Sequence, residues 1–455
     1  MSTIGPDAWT RRYKEALEQG VIKQRAETLG KVVRGLIDCE IEVACRRIQL
    51  GLEEINLITV QAQSIIRCEI ERALAHAEFV YTTPHAALRA AYGGVQIEYA
   101  HMPTFITGLA GVGKTRIRLS LLRVLGGTES IAVDEAHPHT PLIAYADCVI
   151  AQQSSVLEAL KPLANPEIAS GRVKIKQGDL PAECARWQRV CGTCLLGVDE
   201  MQFMAQSETA STLITRTLLA LADIGLPWFV IANYSLLWKL MDRPSEAIQR
   251  LLSRPVVVLP DPPGSEDWAA LLFEFQVVLN DVLDFKLLDL RVELWNLCAG
   301  LKRSLVQLLI HAYRLSRHSN SLKVTWIHID NAFESYEFSA SRRDINLLIA
   351  HAGQGGQLRQ DLKCPFEGPA LTSRGSAFSA QLRAARETAV GNASIESAMT
   401  AEEQHANKAI KQAAQPVTKP TAKVVPLPKP KPRGLDQLMQ AGRDMRGLLG
   451  RDPQA

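Results

Sequence analysis

The sequence predicts an α/β protein: a five-stranded parallel sheet carrying a phosphate-binding loop, then a small all-α domain. A helical N-terminal region precedes them and a disordered C-terminal tail follows. Three observations predict this. Gly108-Leu109-Ala110-Gly111-Val112-Gly113-Lys114-Thr115 has the G-x-x-x-x-G-K-[ST] spacing of a phosphate loop. From residue 104 to 260, short apolar runs alternate with helical patterns. From residue 265 to about 350, only helical periodicity remains.

The loop has the right neighbours. Thr104-Phe105-Ile106-Thr107 reads as a buried strand, and Ile117, Leu119, Leu121, Leu122 and Leu125 as the helix after it. Strand, glycine loop and helix N-terminus together make an anion site. Glycines let the backbone bend so that its N–H groups point at phosphate. Lys114 would reach the β- and γ-phosphates and Thr115 would hold Mg²⁺. Gly108, Gly111, Val112, Gly113, Lys114, Thr115 and Arg116 are therefore the candidate ATP contacts.

Composition sets the outer bounds. A chain of 455 residues that is 47% hydrophobic can bury cores for about two or three domains. A net charge of +3 says nothing about partners, so any nucleic-acid contact must come from local clusters. No apolar run approaches the ~20 residues of a membrane span. Met1 to Trp9 lacks the basic-then-apolar layout of a secretory signal, and the chain reads as cytoplasmic. Nine scattered cysteines fit reduced thiols. Cys191-Gly-Thr-Cys194 has no second pair at zinc spacing; it reads as small buried residues leading into a strand, with a redox or metal role as the alternative.

In chain order, residues 10–80 are helical throughout, with Leu29, Val32, Val33, Leu36 and Ile37 at helical spacing. They form either a packing domain or a docking module. Thr83 and Pro84 suit the start of a new helix leading to the loop. Strands are expected at 104–107, 141–147, 194–198, 227–232 and 255–259, apolar enough to be covered on both faces. Leu195-Leu196-Gly197-Val198 ends in Asp199 and Glu200. Asp199 would orient Mg²⁺ or its waters, and Glu200 would accept a proton from the attacking water. Trp228-Phe229-Val230-Ile231-Ala232 ends in Asn233, level with the γ-phosphate in such a sheet, where an amide can polarise that water. Arg250 and Arg254 precede the fifth strand and are candidates to reach a neighbouring subunit's nucleotide, or else surface ion pairs. Arg303 opens a helix in the small domain. The helix dipole disfavours a base there, which supports a phosphate contact. The implied divisions are 1–82, 83–262, 263–352 and 353–455. In the last, Pro416 to Arg433 is rich in Pro and Lys and reads as a spacer, with contact to nucleic acid as the alternative. Leu435 to Leu449 reads as a short partner-binding motif.

Three stretches carry a family likeness: the loop Gly108–Thr115, the run Leu196-Gly-Val-Asp-Glu-Met-Gln-Phe203, and Ile224-Gly-Leu-Pro-Trp-Phe-Val-Ile-Ala-Asn233. On these the chain resembles the TnsC/TniB family of transposition regulator AAA+ ATPases, over about residues 85–350. It departs where Ala232-Asn233-Tyr234 stands in place of a frequent Gly-Thr-Pro, and it lacks a double arginine before the fifth strand. The resemblance implies ATP-driven assembly of a homo-oligomeric ring or filament on duplex DNA, gripped by its backbone. It also implies recruitment by a target-selector protein, activation of transposase subunits, and disassembly on ATP hydrolysis. Arg172, Lys174 and Lys176 are the channel candidates for DNA. Two other readings stand beside this one: an AAA+/STAND-like scaffold or signalling ATPase that assembles without DNA, and a helicase loader. The first predicts a repeat-based sensor, which is not seen. The second predicts a compact chain, which the long N-terminus and tail fit poorly.

Overall fold

The computed structural model describes residues 8–83, 86, 88–90, 101–133, 137, 139–150, 155–176, 178–201, 210–354 and 357–366. The Pro/Lys-rich stretch 416–433, the segment 435–449, Pro84 at the expected start of the lead-in helix and the pair Gln202-Phe203 lie outside them.

Helices α1 (Ala8–Leu17), α2 (Val21–Ala26), α3 (Ile41–Glu54) and α4 (Val60–Val80) precede the sheet. Residues 10–80 are not helical throughout as expected: residues 27–40, which hold Leu29, Val32, Val33, Leu36 and Ile37, form no helix. Spacing explains the buried faces of the helices that do form. Trp9, Tyr13 and Ala16 line one side of α1; Ile66, Ile70, Ala73 and Ala77 line one side of α4. Thr59 caps α4 by accepting from Ala62 N at 3.2 Å. The helices do not share a core of their own. α1, α2 and α4 bury against the sheet together with Ile106 and Ile231. α3 joins the small helical domain through Ala44, Ile48 and Leu52.

The sheet follows from apolar strands with two covered faces. β1 (Thr104–Gly108) is buried at every residue. Phe105 enters one core and Ile106 the other, the period of two expected of a strand. α5 (Lys114–Leu125) leaves the loop, and β2 (Thr128–Ile131) pairs antiparallel with β3 (Thr140–Ile143). β4 (Tyr145–Val149), β5 (Leu195–Asp199), β6 (Trp228–Asn233) and β7 (Arg254–Val258) complete the sheet in the order β4-β5-β6-β1-β7, all parallel. The connecting helices are α6 (Val156–Leu160), α7 (Pro166–Ala169), α8 (Leu180–Val190), α9 (Ala210–Ala222), α10 (Tyr234–Met241) and α11 (Ser245–Leu251). The strand expected at 141–147 is two strands. It breaks at Ala144, whose carbonyl accepts from Tyr13 Oη at 2.7 Å and Cys194 N at 3.5 Å. β7 is an edge strand, and Gln61 of α4 covers it. Gln61 Nε2 donates to Val257 O at 2.7 Å, and its Oε1 accepts from Leu259 N at 3.3 Å.

The amino edge of the sheet holds a closed polar network. Arg72 Nη1 donates to Glu69 Oε2 at 2.6 Å, Thr104 Oγ1 at 2.7 Å and Trp228 O at 3.3 Å, and Nη2 donates to Met102 O at 2.8 Å. Burial holds the Glu69 carboxyl above its usual range despite Arg72. Beside it His76 and His101 meet edge to face, Nδ1 to Nε2 at 3.1 Å.

Beyond β7 the small domain comprises α12 (Glu266–Val278), α13 (Arg291–Cys298), α14 (Lys302–His318), α15 (Trp326–Glu334) and α16 (Ser339–Gln354). Ser265 caps α12, accepting from Trp268 N at 3.1 Å. Trp268, Phe275, Leu294 and Leu308 fill its core. The N-terminal segment is tied to it: Arg314 donates to both oxygens of Glu42 at 2.8 and 3.0 Å, and Arg317 Nη1 to Leu36 O at 2.6 Å. Residues 357–366, within the expected tail, lie on the α/β core, where Trp238 Nε1 donates to Lys363 O at 2.9 Å. No described helix is long and apolar enough to cross a membrane.

Candidate nucleotide-binding site

Because the strands are parallel, their carboxyl ends share one edge, and the sequence-predicted residues gather there. Gly108 ends β1. A Cβ on it would strike the Val258 carbonyl of β7. Gly111 and Gly113 take φ of 84° and 112°, which a side chain would strain. Lys114 opens α5 and is buried; its Nζ donates to the carbonyls of Gly108 at 2.9 Å and Leu109 at 2.8 Å. Burial pushes its ammonium down to about 8, Arg303 adds to that, and Asp199 and Glu200 oppose it. Thr115 lines the same cleft from the first turn.

The acidic pair stands across from the loop. Asp199 is 1% exposed, and both its oxygens are held: Oδ1 accepts from Glu200 N at 2.8 Å and Oδ2 from Arg118 Nε at 3.2 Å. Glu200 has φ of 61°, a left-handed backbone that costs a non-glycine residue about 1–3 kcal/mol. Its carboxyl is raised by burial and by Asp199, against the pull of Arg303, Lys114 and Arg118. β6 lies between β1 and β5, so Asn233 falls between loop and acids, in register with Gly108. Asn233 is the N-cap of α10 yet makes no side-chain cap bond; its side chain has no hydrogen-bond partner among the described residues.

The helical domain closes the far side. Arg303 is the second residue of α14. Its N donates to Gly111 O at 3.4 Å, and a Cβ on Gly111 would lie 2.9 Å from Arg303 Cβ. Neighbouring Lys302 pairs with Asp261 at 3.3 Å. The cleft of about 840 Å³ is lined by Lys114, Thr115, Asp199, Glu200, Asn233 and Arg303.

Its apolar end was missed by sequence reasoning. Ile55, Leu57 and Ile58, in the linker from α3 to α4, face Leu271, Phe275, Val306 and Ile310 of the helical domain there. Three aliphatics in a short non-periodic linker were the available signal. Arg116 turns towards this end and donates to Glu53 O. The donor set fits a nucleotide with Mg²⁺. A hydroxyl and a buried carboxylate could serve as metal donors, positive-φ glycines could cradle phosphate, and an apolar recess suits a base.

Other candidates lie elsewhere. Arg250 is exposed on α11. Arg254 is exposed at the start of β7, opposite Thr104 at the amino edge, far from its own chain's loop. Arg172, Lys174 and Lys176 are exposed in the segment between α7 and α8, without an ion-pair partner among the described residues. Cys191 and Cys194 are buried, and burial pushes their thiols up to about 12 and about 11, so neither is a reactive thiolate. Among the described residues, no three or more His, Cys, Asp or Glu side chains converge on a metal position.

No protein-family model and no curated protein sequence matches the chain. Among solved structures it is similar to the Aeropyrum pernix ORC2 protein in its ADP form: 14% identity, TM-score 0.42, covering 73% of this chain and 83% of that one. It is also similar to the Aeropyrum pernix ORC1 protein in complex with DNA: 16% identity, TM-score 0.35, covering 74% and 86%. Cdc6p from Pyrobaculum aerophilum matches at 10% identity and TM-score 0.33, over 52% and 62%. Likenesses this loose carry no weight for activity or partners.

Proposed function

We propose that this chain is an AAA+ ATPase that binds ATP with Mg²⁺ in the cleft, assembles on duplex DNA and regulates transposition. The observation that carries the ATPase reading is the convergence of Lys114, Thr115, Asp199, Glu200, Asn233 and Arg303 on one cleft. Lys114 leaves the loop carbonyls for the phosphates. Thr115 and Asp199 hold Mg²⁺, which supplies charge neutralisation to the phosphates when bound. Glu200 accepts the proton of the attacking water. Its raised carboxyl suits a base that must take up a proton. Asn233 orients that water through its amide. Arg303 contacts phosphate from the helical domain, so domain position follows nucleotide state.

Arg250 or Arg254 would complete a neighbouring subunit's site, since neither serves its own. Arg172, Lys174 and Lys176 would lie on DNA backbone; their exposure and their lack of ion-pair partners among the described residues support this. The transposition assignment rests on the resemblance of the three sequence stretches, and it makes a transposase and a target selector the partners.

The test is imaging of purified protein with duplex DNA, with and without a slowly hydrolysed ATP analogue, alongside ATPase assays. Rings or filaments that need both ligands, with DNA-stimulated hydrolysis, are the expected result. Assemblies that need nucleotide but ignore DNA would replace it with the scaffold-ATPase reading.

A further inference from the structure

One buried cation stands behind the acidic pair without lining the cleft. Arg118 lies on α5, four residues after Lys114, and is 8% exposed. Its Nε donates to Asp199 Oδ2 at 3.2 Å, and its Nη1 donates to Asp147 Oδ2 on β4. Tyr145, at the head of β4, donates its hydroxyl to Asp147 Oδ1 at 3.0 Å. The four side chains form one line: Tyr145, Asp147, Arg118, Asp199.

A glycine makes the line possible. Asp147 and Gly197 are partners in the ladder between β4 and β5. Tyr145 and Phe229 lie parallel, 6.2 Å apart and tilted by 2°. A Cβ on Gly197 would fall on the Tyr145 hydroxyl and lie 2.6 Å from Phe229 Cζ. Gly197 thus leaves the space that Tyr145 occupies to reach Asp147.

We propose that Arg118 is a positioning residue for the Asp199 carboxylate, held in turn by Asp147 and Tyr145. The inference rests on the nucleotide–Mg²⁺ reading of the cleft. Asp199 has one oxygen on the Glu200 N–H and the other on Arg118, so its plane is set before any ligand arrives. Charge balance explains the second acid. Arg118 paired with Asp199 alone would cancel the charge that a cation needs. Sharing the guanidinium between Asp147 and Asp199 leaves the group net negative. Partners behind a metal ligand commonly set metal affinity by 10–100-fold.

The test measures how far Mg²⁺ tightens binding of a fluorescent ADP analogue to the full chain, and the Mg²⁺ concentration that half-saturates ATP hydrolysis. Arg118→Lys keeps the charge and loses the fork; the Mg²⁺ enhancement is expected to fall by about 10-fold. Asp147→Asn, which leaves Arg118 wholly on Asp199, shifts it the same way. Tyr145→Phe shifts it least. Nucleotide affinity without Mg²⁺ stays at the wild-type value in all three. If Arg118→Lys does not fold, Asp147→Asn and Tyr145→Phe decide the matter. Folded variants with wild-type Mg²⁺ dependence overturn the proposal, as does an equal loss of binding with and without Mg²⁺. A wild-type protein whose ADP binding ignores Mg²⁺ overturns the metal reading of the cleft itself.

Discussion

The amino and carboxyl edges of the five-stranded sheet both bury charge, but they treat it differently. At the amino edge, Arg72 spends its donors on Glu69, Thr104, Trp228 and Met102, all within the fold. At the carboxyl edge, Lys114 rests on two loop carbonyls, Glu200 sits in a left-handed conformation, and the Asn233 amide has no partner among the described residues. A satisfied network locks one geometry. Strain and open donors persist where a ligand completes the set. The difference teaches where in one sheet stability is held and where the proposed binding site lies.

The sharpest break between the edges is Glu200→Gln. ATP hydrolysis should fall by about 10²–10⁴-fold, with nucleotide affinity kept, because only the proton acceptor is lost. Steady-state hydrolysis beside equilibrium binding checks it, and wild-type turnover in the variant would remove Glu200 from this role. Arg72→Ala attacks the other edge. It leaves Glu69 buried and unpaired, and stability should drop by about 3–5 kcal/mol. Urea unfolding reads that loss, while nucleotide affinity of the folded fraction should not move. A variant that loses affinity but not stability would mean that the edges are not separate devices.

Lys114→Ala reverses the pattern. Charged hydrogen bonds of this kind contribute about 1.5–3 kcal/mol, so nucleotide affinity should fall by about 10–100-fold. Stability of the free protein should hold or rise, since a buried amine is removed. A lowered unfolding midpoint without nucleotide would contradict the assignment of Lys114 to binding.

The smallest effect is a pH dependence at the amino edge. Burial, then His101, pushes His76 down from 6.5 to about 3. Below pH 6.5 the unfolded chain takes a proton that folded His76 refuses. Stability from this group is therefore complete above pH 6.5 and is lost as pH falls towards 3. At about pH 5 the loss is about 2 kcal/mol. Unfolding midpoints at both pH values should show it in the wild type and less in His76→Gln. Equal slopes would place the proton elsewhere.

Much of the carboxyl edge was legible in the sequence. The loop, Asp199, Glu200 and Asn233 each follow an apolar strand, and a strand end is a local signal. Arg303 was legible because a base at a helix start runs against the dipole. Ile55, Leu57 and Ile58 were not, because their role depends on α12 and α14 arriving opposite them. Arg118 has the pattern of an ordinary helix charge, and only the position of β4 gives it two carboxylates. The break at Ala144 was hidden inside a continuous apolar run; the contact that ends it comes from Tyr13, far off in sequence.

By itself the sequence determined the chemistry available: a phosphate-loop motif, two acids, an amide, and strands apolar enough to be covered on both faces. These are short-range properties, set by residue type and spacing. Tertiary structure decided strand order, and so decided that β6 stands between β1 and β5 and brings Asn233 between loop and acids. It also divided the N-terminal helices between two cores and placed their linker at the apolar end of the cleft. Those choices are made by long-range burial, where many apolar faces compete for the same partners and no local pattern records which one wins.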